Sequence, residues 1–264
     1  MAIRKPLFVV PLDLGTIATG NETAGFPASH LNRQKAIALT WKSTGNTNVW
    51  VRGQFAASRA IDFMAMVSAN ALSGTQIRLR LGTSQAEVDG TAPYDSTALA
   101  FISPSITRDD GLYHSHLEIG ATHNATWWRV DITGHTGDFQ AASLVLGKTI
   151  VPSNFYNPEY EMGATDLGDL SFSRWGVLDE TPGRIMRRID FTLGWQTEAV
   201  FEADFRKLSE VLGRRGIIYL CFDPDSTTYR QAKTYLGVFD KPPFARGLRK
   251  PALYAQDFVI HSLI

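Results

Sequence analysis

The chain has 264 residues, of which 44% are hydrophobic and 20% are charged, which excludes a mainly disordered protein because burial of that apolar surface offsets the entropy lost on folding. Lysine plus arginine number 26 and aspartate plus glutamate also number 26, so no excess charge favours nucleic acid or an anionic membrane as a partner. No stretch approaches the roughly 18 unbroken apolar residues of a membrane helix, and Pro6 and Pro11 interrupt the start of the chain, so we expect no membrane insertion, no signal peptide and maturation in the cytoplasm.

Residues 1–37 are predicted to form an extended N-terminal arm. Prolines at 6, 11 and 27 and glycines at 15, 20 and 25 break any regular pattern. The run from Leu7 to Leu14 is nevertheless too apolar to be left in water. We therefore expect the arm to dock on a neighbouring subunit.

Residues 38–150 are predicted to form a β-sandwich. Short apolar runs are separated by turn residues at the spacing typical of sandwich strands, and helical periodicity is absent. Ile77, Leu79 and Leu81 alternate with polar residues, which is the pattern of a strand with one wet face. The predicted strands are 36–41, 49–55, 60–69, 76–82, 98–102, 113–119, 127–132 and 141–146.

Residues 151–165 are predicted to connect two modules, because Pro152 and Pro158 stand there among asparagines and aromatic residues. The second module, residues 166–264, is predicted to be a second β-sandwich or barrel with one α-helix. Its predicted strands are 168–175, 184–193, 217–222, 232–238 and 252–260.

One helix is predicted in the second module, over about 197–212. Thr197 is placed to cap its first amide groups, and Gly213 is expected to end it. Four apolar residues fall on one stripe, whereas three charged residues are predicted to face away from it. The stripe residues are Phe201, Phe205, Leu208 and Leu212, and the charged residues are Arg206, Lys207 and Glu210.

Asp223 and Asp225 follow the apolar run 217–222 and are separated by a proline. Two carboxylates at this spacing can coordinate a divalent metal ion that binds the diphosphate of a nucleotide sugar, as in a metal-dependent glycosyltransferase. The same residues can form an ordinary turn, in which aspartate oxygens accept backbone amides. We favour the turn, because a nucleotide-binding fold requires repeated strand–helix units and this chain has one predicted helix.

His114 and His116 share one face of a predicted strand, and His123, Asp109 and Asp110 are near in sequence. A small metal site can be drawn from these residues, but their spacing is not specific to any metal. Histidines on the wet face of a strand are the more common case. We therefore predict no metal site here.

The remaining reactive side chains offer no catalytic arrangement. The acidic pairs Asp179–Glu180 and Glu159–Glu161 lie in turn-rich segments, where charges are normally solvated. The single cysteine, Cys221, lies in an apolar run and is predicted to be a buried, inert thiol. We predict no catalytic residue, no cofactor and no metal ligand, and we expect a protein that is not an enzyme.

Trp127 and Trp128 are adjacent in a predicted strand, so their rings must point to opposite faces. One ring is then expected in the core and the other at the surface or in an interface. An exposed indole is a natural platform for a sugar ring, although aromatic residues also favour protein interfaces. We predict a glycan or partner contact at this pair, with packing against a partner favoured.

The stretch from Trp41 to Lys148 resembles the galactose-binding-like jelly roll found in discoidin-type and carbohydrate-binding modules. Versions of this module in minor tail proteins of tailed bacteriophages are the most similar. The resemblance is carried, in chain order, by Trp50–Phe55, Ile61–Asn70, Gln76–Leu81, Tyr94–Ser96, Trp127–Ile132 and Leu146–Lys148.

The second half resembles the strand–helix–strand unit of tail-tube and distal-tail proteins, through Arg188–Leu193, the single helix, the strand 217–222 and a closing strand. In that family the unit forms rings around the tail channel, and attached galactose-binding-like modules project outward. This chain departs from the usual order, in which the ring-forming part comes first. No ligand residue can be transferred, because the sugar-binding loops of the jelly-roll family vary.

The resemblance implies a structural component of a bacteriophage tail tip or baseplate. Its partners would be other tail proteins such as tube, hub and fibres, together with further copies of itself in a homo-oligomer. It would be located in the virion tail after assembly in the host cytoplasm. Two alternatives stay open, a carbohydrate-binding module that contacts a cell-surface glycan and, less favoured, the metal-dependent glycosyltransferase.

Overall fold

The computed structural model describes residues 4–264 and is mainly β. Within this range, no helix has both the length and the apolar character needed to cross a membrane. The strands are β1 (Leu7–Val9), β2 (Thr16–Thr19), β3 (Trp41–Lys42), β4 (Trp50–Val67), β5 (Gln76–Gly82), β6 (Tyr94–Asp95), β7 (Leu99–Ala100), β8 (Leu117–Thr133), β9 (Gln140–Ala141), β10 (Ser143–Gly147), β11 (Thr149–Ile150), β12 (Glu161–Asp166), β13 (Asp169–Phe172), β14 (Leu178–Thr181), β15 (Ile185–Thr197), β16 (Ile218–Cys221), β17 (Thr234–Phe239), β18 (Ala245–Gly247) and β19 (Leu253–Ser262).

Five helical segments accompany the strands. A short 3-10 helix spans Ala28–Asn32, and α1 spans Gln85–Asp89. Helix α2 (Glu198–Val200) continues through two π-helical segments, Phe201–Phe205 and Leu208–Leu212. The predictions of a mainly β fold and of one substantial helix in the second half are confirmed.

The chain divides into two compact units. The first contains the described residues up to Ile150 together with Tyr219–Thr234, and the second contains Val151–Ile218 and Tyr235–Ile264. The segment 219–234 therefore belongs with the jelly-roll half of the chain, which its position in the sequence did not indicate.

The N-terminal arm is built into the first unit. Strand β1 pairs with β11 and with β16, and β2 pairs with β4. Leu7, Phe8 and Val9 are fully or almost fully buried there. The apolar run that predicted docking on a neighbouring subunit is thus covered by its own chain, because it supplies a strand. Residues 1–3 of the predicted arm lie outside the described residues.

The main sheet of the first unit is antiparallel and has the order β10-β4-β8-β5-β6, with β2 on β4 and β7 on β5. Two long strands dominate it, β4 with 18 residues and β8 with 17. Each merges two strands that the sequence predicted separately. Register shifts between Gln54 and Arg59 and between Ile61 and Phe63 mark the places where the apolar alternation is interrupted.

Alternation along β5 was correctly predicted, with one exception. Ile77, Leu79 and Leu81 are buried in the core of the first unit. Arg80, on the opposite face, is also buried. Its guanidinium is 2.7 Å from the carboxylate of Asp131. This ion pair offsets the free-energy cost of removing the Arg80 charge from water.

The second unit contains an antiparallel sheet in the order β17-β19-β15-β12, with β18 also on β19, and a separate hairpin of β13 and β14. Phe258 on β19 lies at the centre of its core, with the rings of Phe191, Phe205 and Phe239 between 5.4 and 6.2 Å from it. Phe205 comes from the helix, so the predicted apolar stripe does cover the sheet.

The ends of the helix differ in how well they were predicted. Gly213 ends it with φ of 53°, a left-handed conformation that glycine adopts without strain. Thr197 occupies the N-cap position, but its side chain makes no capping bond. The Thr197 hydroxyl lies instead 2.9 Å from the hydroxyl of Ser153, so the capping role predicted for it is wrong.

Replacing Gly53 by alanine should destabilise the first unit. A Cβ at this buried position would overlap the indole of Trp128, which packs directly against the glycine. Overpacking of this kind costs about 1–3 kcal/mol. We expect a lower free energy of unfolding in chemical denaturation. The control is Gly120→Ala on the partner strand, where nothing lies within 4 Å of the new methyl group, and equal stability of the two variants would contradict this account.

Candidate functional site

A pocket of about 490 Å³ opens at one end of the first unit. It is formed by three loops, 68–75 after β4, 101–116 after β7 and 134–139 after β8. The register explains why they meet, because Gln76 at the start of β5 pairs with Ala100 and with Thr133. We call this cavity the loop-end pocket.

Asn70 fastens two of the three loops to each other. Its side-chain amide donates to the carbonyl of Asp138 at 2.9 Å, and its oxygen accepts from the backbone N–H of Gln140 at 2.8 Å. Both ends of the amide are therefore used within the fold. Asn70 is a structural residue of the pocket and holds its shape before any ligand arrives.

His135 forms the back of the pocket and is buried. Its Nε2 lies 3.3 Å from the carbonyl of Asp138, and its Nδ1 lies 3.0 Å from the hydroxyl of Thr75. A carbonyl only accepts, so Nε2 carries the proton and Nδ1 accepts from Thr75. Burial lowers the pKa of His135, so the imidazole is neutral at pH 7 and adds no charge to the pocket.

The pocket wall combines hydroxyl groups with apolar side chains. Ser73, Ser105, Thr107 and Thr136 line it and are exposed to solvent. The apolar part of the wall is supplied by the side chains of Leu72, Ile102, Ile106 and Tyr113. The lining thus offers both hydrogen-bonding groups and apolar surface to a ligand.

The charged groups at the pocket are paired with one another. The carboxylate of Asp138 accepts from the backbone N–H of Gly45 at 2.7 Å and lies 3.1 Å from the Lys42 ammonium. In the loop 101–116, the guanidinium of Arg108 lies 2.6 Å from the carboxylate of Asp110. That ion pair lowers the pKa of Asp110 to about 2. A ligand in the pocket therefore meets dipoles and no unpaired charge.

Trp127 and Trp128 lie on opposite faces of β8, as their adjacency predicts. Trp128 is 0% exposed, and its indole N–H donates to the carbonyl of Leu14 at 3.2 Å. It is a core residue with no surface to offer a ligand. Trp127 is half-buried on the outward face and is not part of the loop-end pocket.

The outward face around Trp127 is a ladder of stacked rings and guanidinium groups. Arg129 lies 4.4 Å from the centre of the Trp50 ring, and Arg52 lies 5.2 Å from Trp50 and 6.0 Å from Trp127. Asp89 at the end of α1 pairs with both arginines. The charged groups on this face are therefore paired with one another. The Trp127 ring is packed among them and is only partly accessible to a ligand.

The three histidines considered as metal ligands have separate roles. His114 Nδ1 accepts from the backbone N–H of Ser68 at 3.0 Å. The ring of His123 packs against that of Tyr94, with centroids 4.6 Å apart and planes tilted by 40°. His116 is buried, with Nε2 3.0 Å from Glu118. Among the residues that the structure describes, no group of three or more potential ligands is arranged to hold a metal ion.

Asp223 and Asp225 are engaged by other parts of the first unit. Asp223 forms an ion pair with Lys233 at 2.8 Å, and Asp225 accepts from the backbone N–H of Arg4. Both carboxylates are therefore engaged by groups outside the segment 223–225. Cys221 is fully buried, and burial raises its pKa to about 12, so the thiol is unreactive at neutral pH.

Sequence reasoning did not identify the loop-end pocket. Its lining residues come from three loops with no motif in common, and serine and threonine in loops are ordinary. Asn70 carried a signal only through the jelly-roll resemblance. The pocket becomes visible once the strand register places the loops together.

No family model matches the chain, and no curated protein sequence matches it. Among solved structures, it is similar to a chitosan-binding module of a chitosanase/glucanase from Paenibacillus sp. IK-5, with 14% identity, a TM-score of 0.36 and coverage of 53% of this chain and 98% of that one. A fucose-binding module of Streptococcus pneumoniae matches with 7% identity, a TM-score of 0.38 and coverage of 52% and 95%.

A family 32 carbohydrate-binding module of C. perfringens in complex with galactose matches with 12% identity, a TM-score of 0.39 and coverage of 53% and 98%. These neighbours are carbohydrate-binding modules of the galactose-binding-like jelly-roll type. None of the three is a bacteriophage tail protein. At identities and TM-scores this low, the likeness carries no argument about the ligand of this chain.

Replacing Glu118 by glutamine should flatten the acid sensitivity of the first unit. Burial alone would raise the pKa of Glu118, but hydrogen bonds from His116 and Arg4 outweigh it and hold the pKa at about 2, below the ordinary 4.5. A carboxyl group with a lowered folded-state pKa stabilises the fold above about pH 4.5, and this stabilisation is lost as the pH falls towards 2.

Thermal unfolding followed from pH 7 to pH 2.5 tests this expectation. Below about pH 4.5 the wild type should lose stability more steeply than Glu118→Gln. Glu159→Gln, at an exposed glutamate of the second unit, is the control and should follow the wild type. Parallel curves for Glu118→Gln and the wild type would show that the contacts of Glu118 do not stabilise the fold.

Proposed function

We propose that the chain is a carbohydrate-binding protein that holds a sugar in the loop-end pocket. The observation that carries this proposal is the pocket's lining, which combines solvent-exposed hydroxyl groups with apolar side chains between loops joined by hydrogen bonds. Sugars present the same combination, because their rings have apolar C–H faces and a rim of hydroxyl groups. Pockets that are mainly apolar with a few placed polar groups are the usual form of small-ligand sites.

The proposed role is binding without catalysis. Asp138 is the one ionised side chain that lines the pocket, and its carboxylate is held by Lys42 and Gly45. His135 has both ring nitrogens in hydrogen bonds. Glycoside hydrolysis needs a pair of carboxyl groups flanking the bond, and general acid–base catalysis needs a group free to move a proton. The lining supplies neither.

Filling the loop-end pocket should abolish binding of the sugar that this pocket holds. Ser105→Trp places an indole at an exposed position in the lining, in the space that a sugar ring would take. Ser58→Trp, at an exposed serine of the same unit outside the pocket, is the matched control. On a glycan array followed by calorimetry with the strongest ligand, we expect Ser105→Trp to lose binding and Ser58→Trp to retain it.

A third variant separates the pocket from the outward face. If Trp127→Ala lost binding while Ser105→Trp retained it, the sugar would lie on the outward face. The assignment of the sugar site to the loop-end pocket would then be wrong. If the wild type bound no glycan, the proposed function itself would fail.

A second candidate function is supported by the hairpin of β13 and β14 in the second unit. Every residue of these two strands is exposed, and Trp175 at the turn is 78% exposed. An apolar surface of this kind is rarely left in water by a monomeric protein. The other exposed apolar side chains of the hairpin and its flanks are Leu167, Leu170, Phe172, Val177, Leu178 and Ile185.

This hairpin supports a role as a subunit of a larger assembly. The specific form of that proposal is a component of a bacteriophage tail tip or baseplate, in contact with tube, hub or fibre proteins and with other copies of the chain. The two candidates are compatible, because the pocket belongs to the first unit and the hairpin to the second.

Removing the two large rings of the hairpin should weaken self-association. The double variant Phe172→Ser, Trp175→Ser removes apolar area that the wild type would bury against another copy. Tyr229→Ser, at an exposed aromatic residue of the first unit, is the control. In sedimentation velocity over a range of concentrations, we expect oligomers for the wild type and the control and monomers for the double variant. A wild type that stays monomeric at all concentrations would contradict self-assembly through the hairpin.

A further inference from the structure

The second unit contains a groove that is separate from the loop-end pocket. One wall is the helix over residues 198–212, the other is the loop 242–245, and β19 supplies the floor. Its volume is about 310 Å³, at the small end of the range for ligand sites. A cavity of this size suits a small molecule and is too short for a helix or strand of a partner protein. We call it the helix groove.

The floor of the helix groove is aromatic and held in place. The rings of Phe201 and Tyr254 stack with centroids 4.5 Å apart and planes 17° apart. The hydroxyl of Tyr254 donates to Glu198 at 3.4 Å. Across the groove, the hydroxyl of Ser209 donates to the carbonyl of Pro243 and ties the loop to the helix. The floor and both walls are therefore pre-organised.

The π-helical turns bring polar side chains to this aromatic floor. The N–H of Arg206 donates to the carbonyl of Phe201, five residues earlier. In an α-helix, residues five apart are separated by about 140° around the axis, whereas the wider π turn, with its i→i+5 hydrogen bond, brings them closer to one face. The guanidinium of Arg206 consequently lies 5.4 Å from the centre of the Phe201 ring. Arg206 and Glu210, predicted to face away from the apolar stripe, both line the groove.

These two side chains have hydrogen-bonding capacity left for a ligand. A guanidinium carries five N–H groups, and Arg206 uses three of them, two on Glu202 and one on Glu210. Two N–H groups remain. The carboxylate of Glu210 is exposed and has free lone pairs. A donor and an acceptor therefore stand together at the rim of the groove.

The charges favour a neutral ligand. A cation would be repelled by Arg206, which already covers the Phe201 ring. An anion would be repelled by Glu210 and by Glu202 beside it. A neutral molecule with an apolar face and several hydroxyl groups satisfies both the aromatic floor and the polar rim.

The geometry points to a second saccharide site in the helix groove, occupied by a neutral pyranose ring. The C–H face of the ring packs on Tyr254 and on Phe244, which is 70% exposed on the loop wall. Its hydroxyl groups accept from Arg206 and donate to Glu210. This inference goes beyond the proposed function and does not depend on it, because all of its residues belong to the second unit.

The test uses the full chain with Ser105→Trp, which closes the loop-end pocket. Saturation-transfer NMR is recorded with methyl galactopyranoside, methyl glucopyranoside and methyl mannopyranoside, and with glucuronic acid and glucosamine as charged comparators. We expect transfer to at least one neutral glycoside and weaker transfer to the charged sugars. Adding Phe244→Ser should weaken that binding by about ten-fold, because an aromatic stacking contact of about 1.4 kcal/mol is lost.

Two matched controls accompany these variants. Tyr229→Ser removes an equally exposed aromatic ring from the first unit, and Lys207→Gln removes a charge beside Arg206 without touching the groove. Both should leave binding unchanged, whereas Arg206→Gln should reduce it.

Each result decides between the two sites. If the wild type binds a sugar and Ser105→Trp shows no transfer at all, the proposed site in the helix groove is wrong and the proposed site in the loop-end pocket is supported. Transfer that survives Phe244→Ser and Arg206→Gln also overturns it. If binding is unaffected by Ser105→Trp and lost in Phe244→Ser, the helix groove is supported as a sugar site and the loop-end pocket is ruled out as one.

Discussion

The antiparallel pairing of β4 with β8 is the constraint on which the first unit depends. These two strands run side by side for most of their length, and β2, β10 and β5 take their registers from them. The Trp128 ring can pack beneath the pair only because Gly53 has no side chain. Strand β5 then pairs with β8 and β7, which places its first residue, Gln76, beside Thr133 and Ala100 at the ends of those strands. The loops before β5, after β7 and after β8 therefore meet at one end of the sheet.

The position of the loop-end pocket follows from that register, and its stiffness follows from a few polar contacts. Asn70 and His135 use their side-chain polar atoms to hold loops together. Such residues are poor partners for a ligand, but they leave the serine and threonine hydroxyl groups around them free. Some residues thus hold the shape of the cavity while others are left to contact a ligand. This separation of roles is typical of a binding site.

Much of the fold could be predicted from the sequence, because period-two alternation and one 3.6-residue stripe were clear. The strand around Leu79 and the helix stripe through Phe205 were both correct. The bulges in β4 were not predictable, since an interrupted alternation looks the same as a strand end. The π turns were missed for a similar reason, because helical periodicity was assumed to be 3.6 throughout. Arg206 is exposed, as predicted, but its position at the edge of a groove beside Phe201 was not foreseen.

The candidate sites were harder to predict than the fold. Trp127 and Trp128 stood out because tryptophan is rare. Trp128 is a core residue, however, and the Trp127 ring packs beside Arg52 in a network of paired charges. The loop-end pocket is lined by common residues from distant parts of the chain, and only tertiary structure assembles them. Asp223 and Asp225 show the reverse case, in which the residues of a conspicuous motif are engaged by Lys233 and by the backbone of Arg4.

The state of Cys221 has a practical consequence. As the single cysteine of the chain, sealed from solvent and protonated at neutral pH, it will not compete for maleimide or nitroxide reagents. A cysteine introduced on the rim of either cavity would then carry the only accessible thiolate. Fluorescent or spin probes could be attached there one at a time, without first removing the native residue.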